Sequence, residues 1–212
     1  MLNDLKNELH NILSGKSEVR FGTAIQAITH YLGNGKKTGE DLENEKHFKR
    51  KEAERLEKYI MENNLWVKNI DFSQYVSEGA EQKVYLNNSD SVIKLNDSIY
   101  YSCWKDYFYN LLLHNFFFTD TAYELLGFYK EEEVLFAVVR QNYVKSDTPT
   151  DLLTVKSFLE ANGFQNNRNN DYINKSLGVI LEDLHDENVL TQNNLLYFID
   201  TVFYLTDVFW DS

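Results

Sequence analysis

Gly178–Asp200, GVILEDLHDENVLTQNNLLYFID, is the stretch on which the reading of this chain turns. In DLHDENVL the pattern D-x-x-x-x-N lets one loop present the Asp183 carboxylate and the Asn188 amide at neighbouring points. The next residues, VLTQNNLLYFI, read as a small hairpin that folds Asp200 back beside Asn188. One reading is a solvated hairpin with Asp200 as a strand-end turn residue. The other is a phosphoryl-transfer site. There Asp183 accepts the proton of an attacking hydroxyl, and Asn188 meets a hard divalent ion through its side-chain oxygen.

The second reading makes demands elsewhere, because such a site also needs a cover for phosphates and a cation on them. SEGAEQKVYL places Gly79 and Ala80 at a turn between strands, where small residues let backbone amides approach an anion. A plain hairpin turn explains the same residues. Lys94, in SVIKL, lies on the next strand. Alternation puts Val92, Lys94 and Asn96 on one face and Ile93 and Leu95 on the other. The lysine is then either an exposed strand residue or a cation reaching under the Gly79 turn.

With 212 residues, 43% of them hydrophobic and 15% aromatic, the chain can bury a real core. The longest apolar run, YFYNLLLHNFFF (Tyr107–Phe118), is too short for a membrane span and carries Asn and His. The opening MLNDLKNELHN lacks the regions of a secretion signal. Cys103 is the single cysteine, which excludes an intrachain disulfide and suits a reducing, cytoplasmic setting. A net charge of −12 weighs against nucleic acid as the main partner. The basic run KHFKRKEAERLEK interleaves acids at helical spacing and reads as a solvated helix face.

Periodicity predicts three helices in the first third. The first carries Leu2, Leu5, Leu9, Ile12 and Leu13 and stops at Gly15. The second carries Ile25, Ile28 and Leu32. The third is capped by Thr38, bears Leu42, Phe48, Leu56 and Ile60, and ends near ENNLW. After Trp66 the pattern changes to strands. QKVYL and SVIKL form a hairpin through NNSD, and an aromatic-rich helix runs from about Ser98 to Phe116. TAYELLGFY and EVLFAVVRQNYV form a second antiparallel pair. TDLLTVKSFLEANGF is a helix behind Pro149, ended by Gly163, and QNNRNND is a polar loop. The expected class is α+β.

DLHDENVL…YFID resembles the catalytic and metal-binding segments of protein kinases and aminoglycoside-type phosphotransferases. The whole chain is similar to the Ser/Thr/Tyr kinase-like domain of polyvalent proteins from phages and mobile elements. NLWV, SEGAEQKVYL, SVIKLN, LLLHNFFFTDTAYELLGF, VVRQNYV and DLHDENVL carry the likeness, over about Leu65 to Thr201. The resemblance implies a minimal two-lobed kinase-like fold: a helical extension over 1–64, an N-lobe over 65–144 and a reduced C-lobe over 145–212. It implies ATP and Mg²⁺ as cofactors, with a protein hydroxyl as acceptor. Gly79 and Ala80 would cover the phosphates, and Lys94 would contact the α- and β-phosphates. Gln141, Asn142 and Tyr143 would form the hinge beside adenine, mainly through backbone groups. Asp183 would be the catalytic base, with Asn188 and Asp200 holding Mg²⁺.

The chain departs from the family pattern in several places. The loop is not a full G-x-G-x-x-G, Glu182 replaces the usual residue before the catalytic Asp, and IDTV stands where protein kinases have D-F-G. No glutamate lies between Lys94 and Tyr123 to orient the lysine; Asp106 is a stand-in and Glu124 a weaker one. Few residues follow Asp200 to build a peptide-binding platform. These departures motivate the alternative of a pseudokinase-like module that acts through a protein partner, or a purely structural scaffold. A metallohydrolase built on Asp183, His185 and Glu187 lacks a second nearby histidine. His114 and the aromatics around it read as core, and Trp66 as a residue packing at the junction of extension and sheet.

Overall fold

The computed structural model describes residues 2–33, 45–79 and 82–211. Thr38, Leu42 and Ala80 lie outside the described residues. Three helices open the chain: α1 (Leu2–Leu13), α2 (Gly22–Gly33) and α3 (Glu45–Glu62). Their apolar stripes meet, with Leu9, Ile12, Ile25, Ile28, Leu56 and Ile60 almost fully buried. The basic run on α3 is a solvated face only in part. Lys49 donates to the carbonyls of Ser98 and Tyr101 at 2.6 and 2.9 Å, and Arg55 to those of Leu32 and Tyr31 at 3.2 and 2.9 Å. Arg50 and Glu54 make the exposed i,i+4 pair that the spacing predicts.

Five antiparallel strands follow: β1 (Tyr75–Glu78), β2 (Gln82–Asn88), β3 (Ser91–Asn96), β4 (Glu124–Glu131) and β5 (Val134–Asn142). They assemble in the order β1-β2-β3-β5-β4. Lys94 pairs with Val84 on β2 and Val139 on β5, at the centre of the sheet. The alternation holds. Tyr85, Leu95, Phe136 and Val138 pack together on one face under Val67 and Ile70, while Val84, Val92 and Lys94 face a cleft.

Between β3 and β4 runs α4 (Trp104–Phe117), the central element of the molecule. It begins six residues later than the pattern predicts. Ser98 adopts φ 59°, and 97–103 turn back under Lys49 before the helix starts. Phe108, Leu111, Leu112 and Leu113 are buried, and α4 packs against α1, α2 and α3 on one side. Its buried polar residues are satisfied, as burial requires. Asn110 accepts the Phe203 amide, and Asn115 exchanges two hydrogen bonds with the Tyr123 backbone.

The remainder is α5 (Leu152–Ala161), β6 (Gln165–Arg168), β7 (Asp171–Asn174), β8 (Val179–Glu182), β9 (Val189–Gln192), β10 (Leu195–Phe198), β11 (Val202–Leu205) and a short α6 (Asp207–Trp210). Here QNNRNND departs from its reading as a loop. It forms the β6–β7 hairpin, which extends a four-stranded sheet ordered β11-β8-β7-β6. The fold is α+β, a five-stranded lobe and a reduced second lobe, with a largely shared hydrophobic core beneath both.

Candidate active site

A cleft of about 740 Å³ opens between the five-stranded sheet and the β8–β10 segment. Lys94 enters it from β3 and is only 4% exposed, so it is not an ordinary surface lysine. Its Nζ donates to the Ile199 carbonyl at 2.8 Å and lies 4.0 Å from Asp200 Oδ2. Across the cleft, the tight loop after β8 carries Asp183 and Asn188. Asn188 Nδ2 donates to the Asp183 carbonyl at 2.8 Å and to its carboxylate at 2.9 Å. The Asn188 carbonyl accepts the amides of Ile199 and Asp200, at 2.9 and 3.3 Å. Those bonds bring the end of the β9–β10 hairpin against the loop, as the spacing predicted.

Asp183 holds φ 65°, a left-handed conformation that costs a non-glycine residue energy and clusters at functional sites. Its amide is caught by the Asp171 carboxylate at 3.1 Å, and the following Leu184 is buried in the core. The Glu187 amide donates to His185 Nδ1 at 3.3 Å, and Nε2 lies 3.1 Å from Asn188 Nδ2 and 3.3 Å from Asp183 Oδ1. Among the described residues no group of three or more His, Cys, Asp and Glu converges to hold a metal, and His185 serves Asp183 instead. Burial raises the Glu182 carboxyl above its usual range, helped by the charges of Asp171 and Asp183.

Gly79 lines the cleft beside Gln82. An added Cβ there would meet no atom nearer than the Gln82 carbonyl at 3.9 Å, so the fold itself does not demand glycine. Gln141, Asn142 and Tyr143 form one wall. Their polar groups are partly engaged elsewhere: the Tyr143 amide donates to Asp90 O at 2.9 Å. The Gln141 side chain is also turned away, donating to Thr121 O at 2.7 Å.

Both acids named as stand-ins are engaged elsewhere. Glu124 is paired with Arg140, whose Nε lies 2.9 Å away. Asp106 sits in the first turn of α4, close enough to Cys103 and Glu52 to raise both of their pKa values. The α4 residue whose titration feels the Lys94 charge is His114. Burial, chiefly, lowers its pKa to about 3, and the ring is neutral. The Thr121 carbonyl must accept from Nε2–H at 2.9 Å, so Nδ1 accepts from the Thr201 hydroxyl at 2.7 Å.

Several residues in or beside the cleft had no role in the sequence reading. Gln82 Nε2 donates to Asp200 Oδ2 at 2.7 Å, and the Tyr123 hydroxyl donates to Ile199 O at 2.8 Å. Val84, Val92, Val144 and Leu190 supply apolar lining. Val92 had a signal, its place on the Lys94 face of β3, and Leu190 another, two positions after Asn188.

A lysine at the sheet centre, an Asp–Asn loop opposite it and an Asp behind a hairpin thus line one cleft. A family model described as "Serine/Threonine/Tyrosine Kinase found in polyvalent proteins" matches residues 49–207. The chain belongs to that family. No curated protein and no solved structure matches it. In this kinase-like chain the matched region runs from within α3 to the first residue of α6, so it takes in the whole cleft. Among the described residues no helix is long and apolar enough to cross a membrane.

Proposed function

We propose that the chain binds Mg-ATP in this cleft and transfers the γ-phosphoryl group to a protein hydroxyl. The observation that carries the reading is the meeting of Lys94 and Asp200 at 4.0 Å, beside the loop of Asp183 and Asn188. A buried ammonium suits the α- and β-phosphates. The donor set fits a hard divalent cation. Asp200 offers a carboxylate, and Asn188 offers its side-chain oxygen, since its nitrogen is engaged with Asp183. Bound there, the cation would neutralise charge on the phosphates. Asp183, at the mouth of the cleft, takes the proton of the acceptor hydroxyl, with Asn188 Nδ2 donating to its carboxylate and His185 Nε2 3.3 Å from it. Val84, Val92, Val144 and Leu190 offer a slot for a purine. The buried lysine and the Asp183–Asn188 bonds favour an enzyme over a binding module.

Calorimetry and thermal shift with Mg-ATP test the reading. Wild type is expected to bind and to gain thermal stability, and Lys94→Ala and Asp200→Asn to lose both effects. Label from γ-labelled ATP is expected to enter a protein acceptor and to vanish in Asp183→Ala. A folded sample that binds no Mg-ATP at millimolar concentration would overturn the proposal.

A further inference from the structure

Tyr123 lies between α4 and β4 and is 3% exposed. The Lys94 ammonium sits 5.3 Å from its ring centroid, within cation–π range. Its hydroxyl donates to the same Ile199 carbonyl that receives Lys94, at 2.8 Å in each case, and reaches Asp200 Oδ1 at 3.5 Å. One side chain thus touches the cation through its face and the metal-side residues through its hydroxyl. We infer that Tyr123 is the positioning residue for both Lys94 and Asp200.

Three further observations support this assignment. Asn115 on α4 holds the Tyr123 backbone at both ends, its Oδ1 accepting the amide at 2.7 Å and its Nδ2 donating to the carbonyl at 2.8 Å. The neighbouring His114 ring packs on the Tyr123 ring at 4.5 Å between centroids and bonds Thr201, next to Asp200. Asp106, the one acid on α4, lies eight residues before His114, about 12 Å back along the axis. The helix therefore reaches the site through the His114 ring and two hydrogen bonds from Asn115. A neutral imidazole behind the ring adds no charge to oppose the lysine.

The structural part of this inference stands by itself; its kinetic part rests on the Mg-ATP reading. The test compares wild type with Tyr123→Phe, which keeps the ring, and Tyr123→Leu, which removes it. By NMR, the Lys94 Hε protons are expected upfield of an exposed lysine in wild type and Tyr123→Phe, and unshifted in Tyr123→Leu. Unshifted protons in folded wild type would overturn the inference whether or not ATP binds. In label transfer, Tyr123→Phe is expected to raise the Mg²⁺ concentration for half-maximal rate about three- to tenfold, the equivalent of one hydrogen bond, with little change in KM for ATP. Tyr123→Leu is expected to lower kcat as well. A merely structural role would lower Tm without moving the Mg²⁺ requirement. Wild-type Mg²⁺ dependence and kcat in a folded Tyr123→Phe would therefore refute the assignment. Failure of wild type to bind Mg-ATP, with the upfield shift intact, would sink the nucleotide reading alone.

Discussion

Glu52 is a carboxylate on α3 with 4% exposure, and it accepts the Trp104 amide at 2.5 Å. It thereby serves the first turn of α4, whose amides have no partner within the helix. The Cys103 side chain at the N-cap position makes no such bond. Burial raises the Glu52 pKa from 4.5 to about 7, with the Asp106 charge adding to the rise and the Trp104 hydrogen bond opposing it. Between those values the folded state holds more protons than the unfolded chain, so stability falls as pH climbs from about 4.5 to 7. The full shift corresponds to about 3 kcal/mol as an upper bound. Glu52→Gln keeps an oxygen for the Trp104 amide and removes the titration. Urea unfolding is expected to show the variant more stable than wild type at pH 8 by about 1–3 kcal/mol, with the gap closing toward pH 5. A variant less stable at pH 8 would mean that the ionised form of Glu52 is itself favourable there.

At the scale of elements, Gly127 shows how one residue seats two segments. It sits at φ 146° in a bulge of β4, where an added Cβ would lie 2.2 Å from the Leu65 carbonyl. That closeness lets Leu65–Val67 run beside β4, with the Val67 amide donating to Phe128 O at 2.8 Å and the Phe128 amide to Leu65 O at 2.9 Å. Gly127→Ala is expected to destabilise the chain by about 2 kcal/mol or more, because the nearest atom, the Leu65 carbonyl oxygen, is backbone and cannot swing aside. A change in Trp66 fluorescence should accompany the loss; an unchanged melting curve would show that the bulge relaxes freely. Elements with strong patterns were legible from sequence. The β2–β3 and β4–β5 hairpins and α1, α2 and α5 all have clear periods. The β6–β7 hairpin was not, since QNNR is exposed throughout and owes its extended shape to pairing with Tyr172 and Ile173. The start of α4 was missed for a similar reason. Asp97–Cys103 could continue the helix by pattern, but Lys49 on a distant helix holds them as a turn.

At the scale of the whole molecule, the site was legible where one loop or one hairpin brings residues together. Asp183, Asn188 and Asp200 are neighbours through local backbone bonds, and the strand period alone orients Lys94. Tyr123 and Gln82 had no local signal, because their roles exist only once the sheet is laid over the β9–β10 hairpin. The same dependence on assembly governs stability. Leu9, Ile12, Ile25 and Ile28 of the first two helices belong to one buried cluster with Phe108, Leu111 and Leu112 of α4, and with Val179 and Phe203 below. Lys6 of α1 also caps the far end, donating to Val208 O at 2.6 Å and Asp211 O at 2.9 Å. Residues 49–207, the region matched by the family model, would therefore expose one whole side of α4 if produced alone. Each large side chain lost from such a core removes about 2–5 kcal/mol, against a total stability of about 5–15 kcal/mol. The truncated chain is expected to show no cooperative unfolding transition and to bind a hydrophobic dye, whereas the full chain melts in one step. A cooperative melt of 49–207 near the full-length midpoint would instead mean that the first two helices dock on a lobe already stable without them, and that the orientation of α4, and with it Tyr123, is set by α3 and the sheet alone.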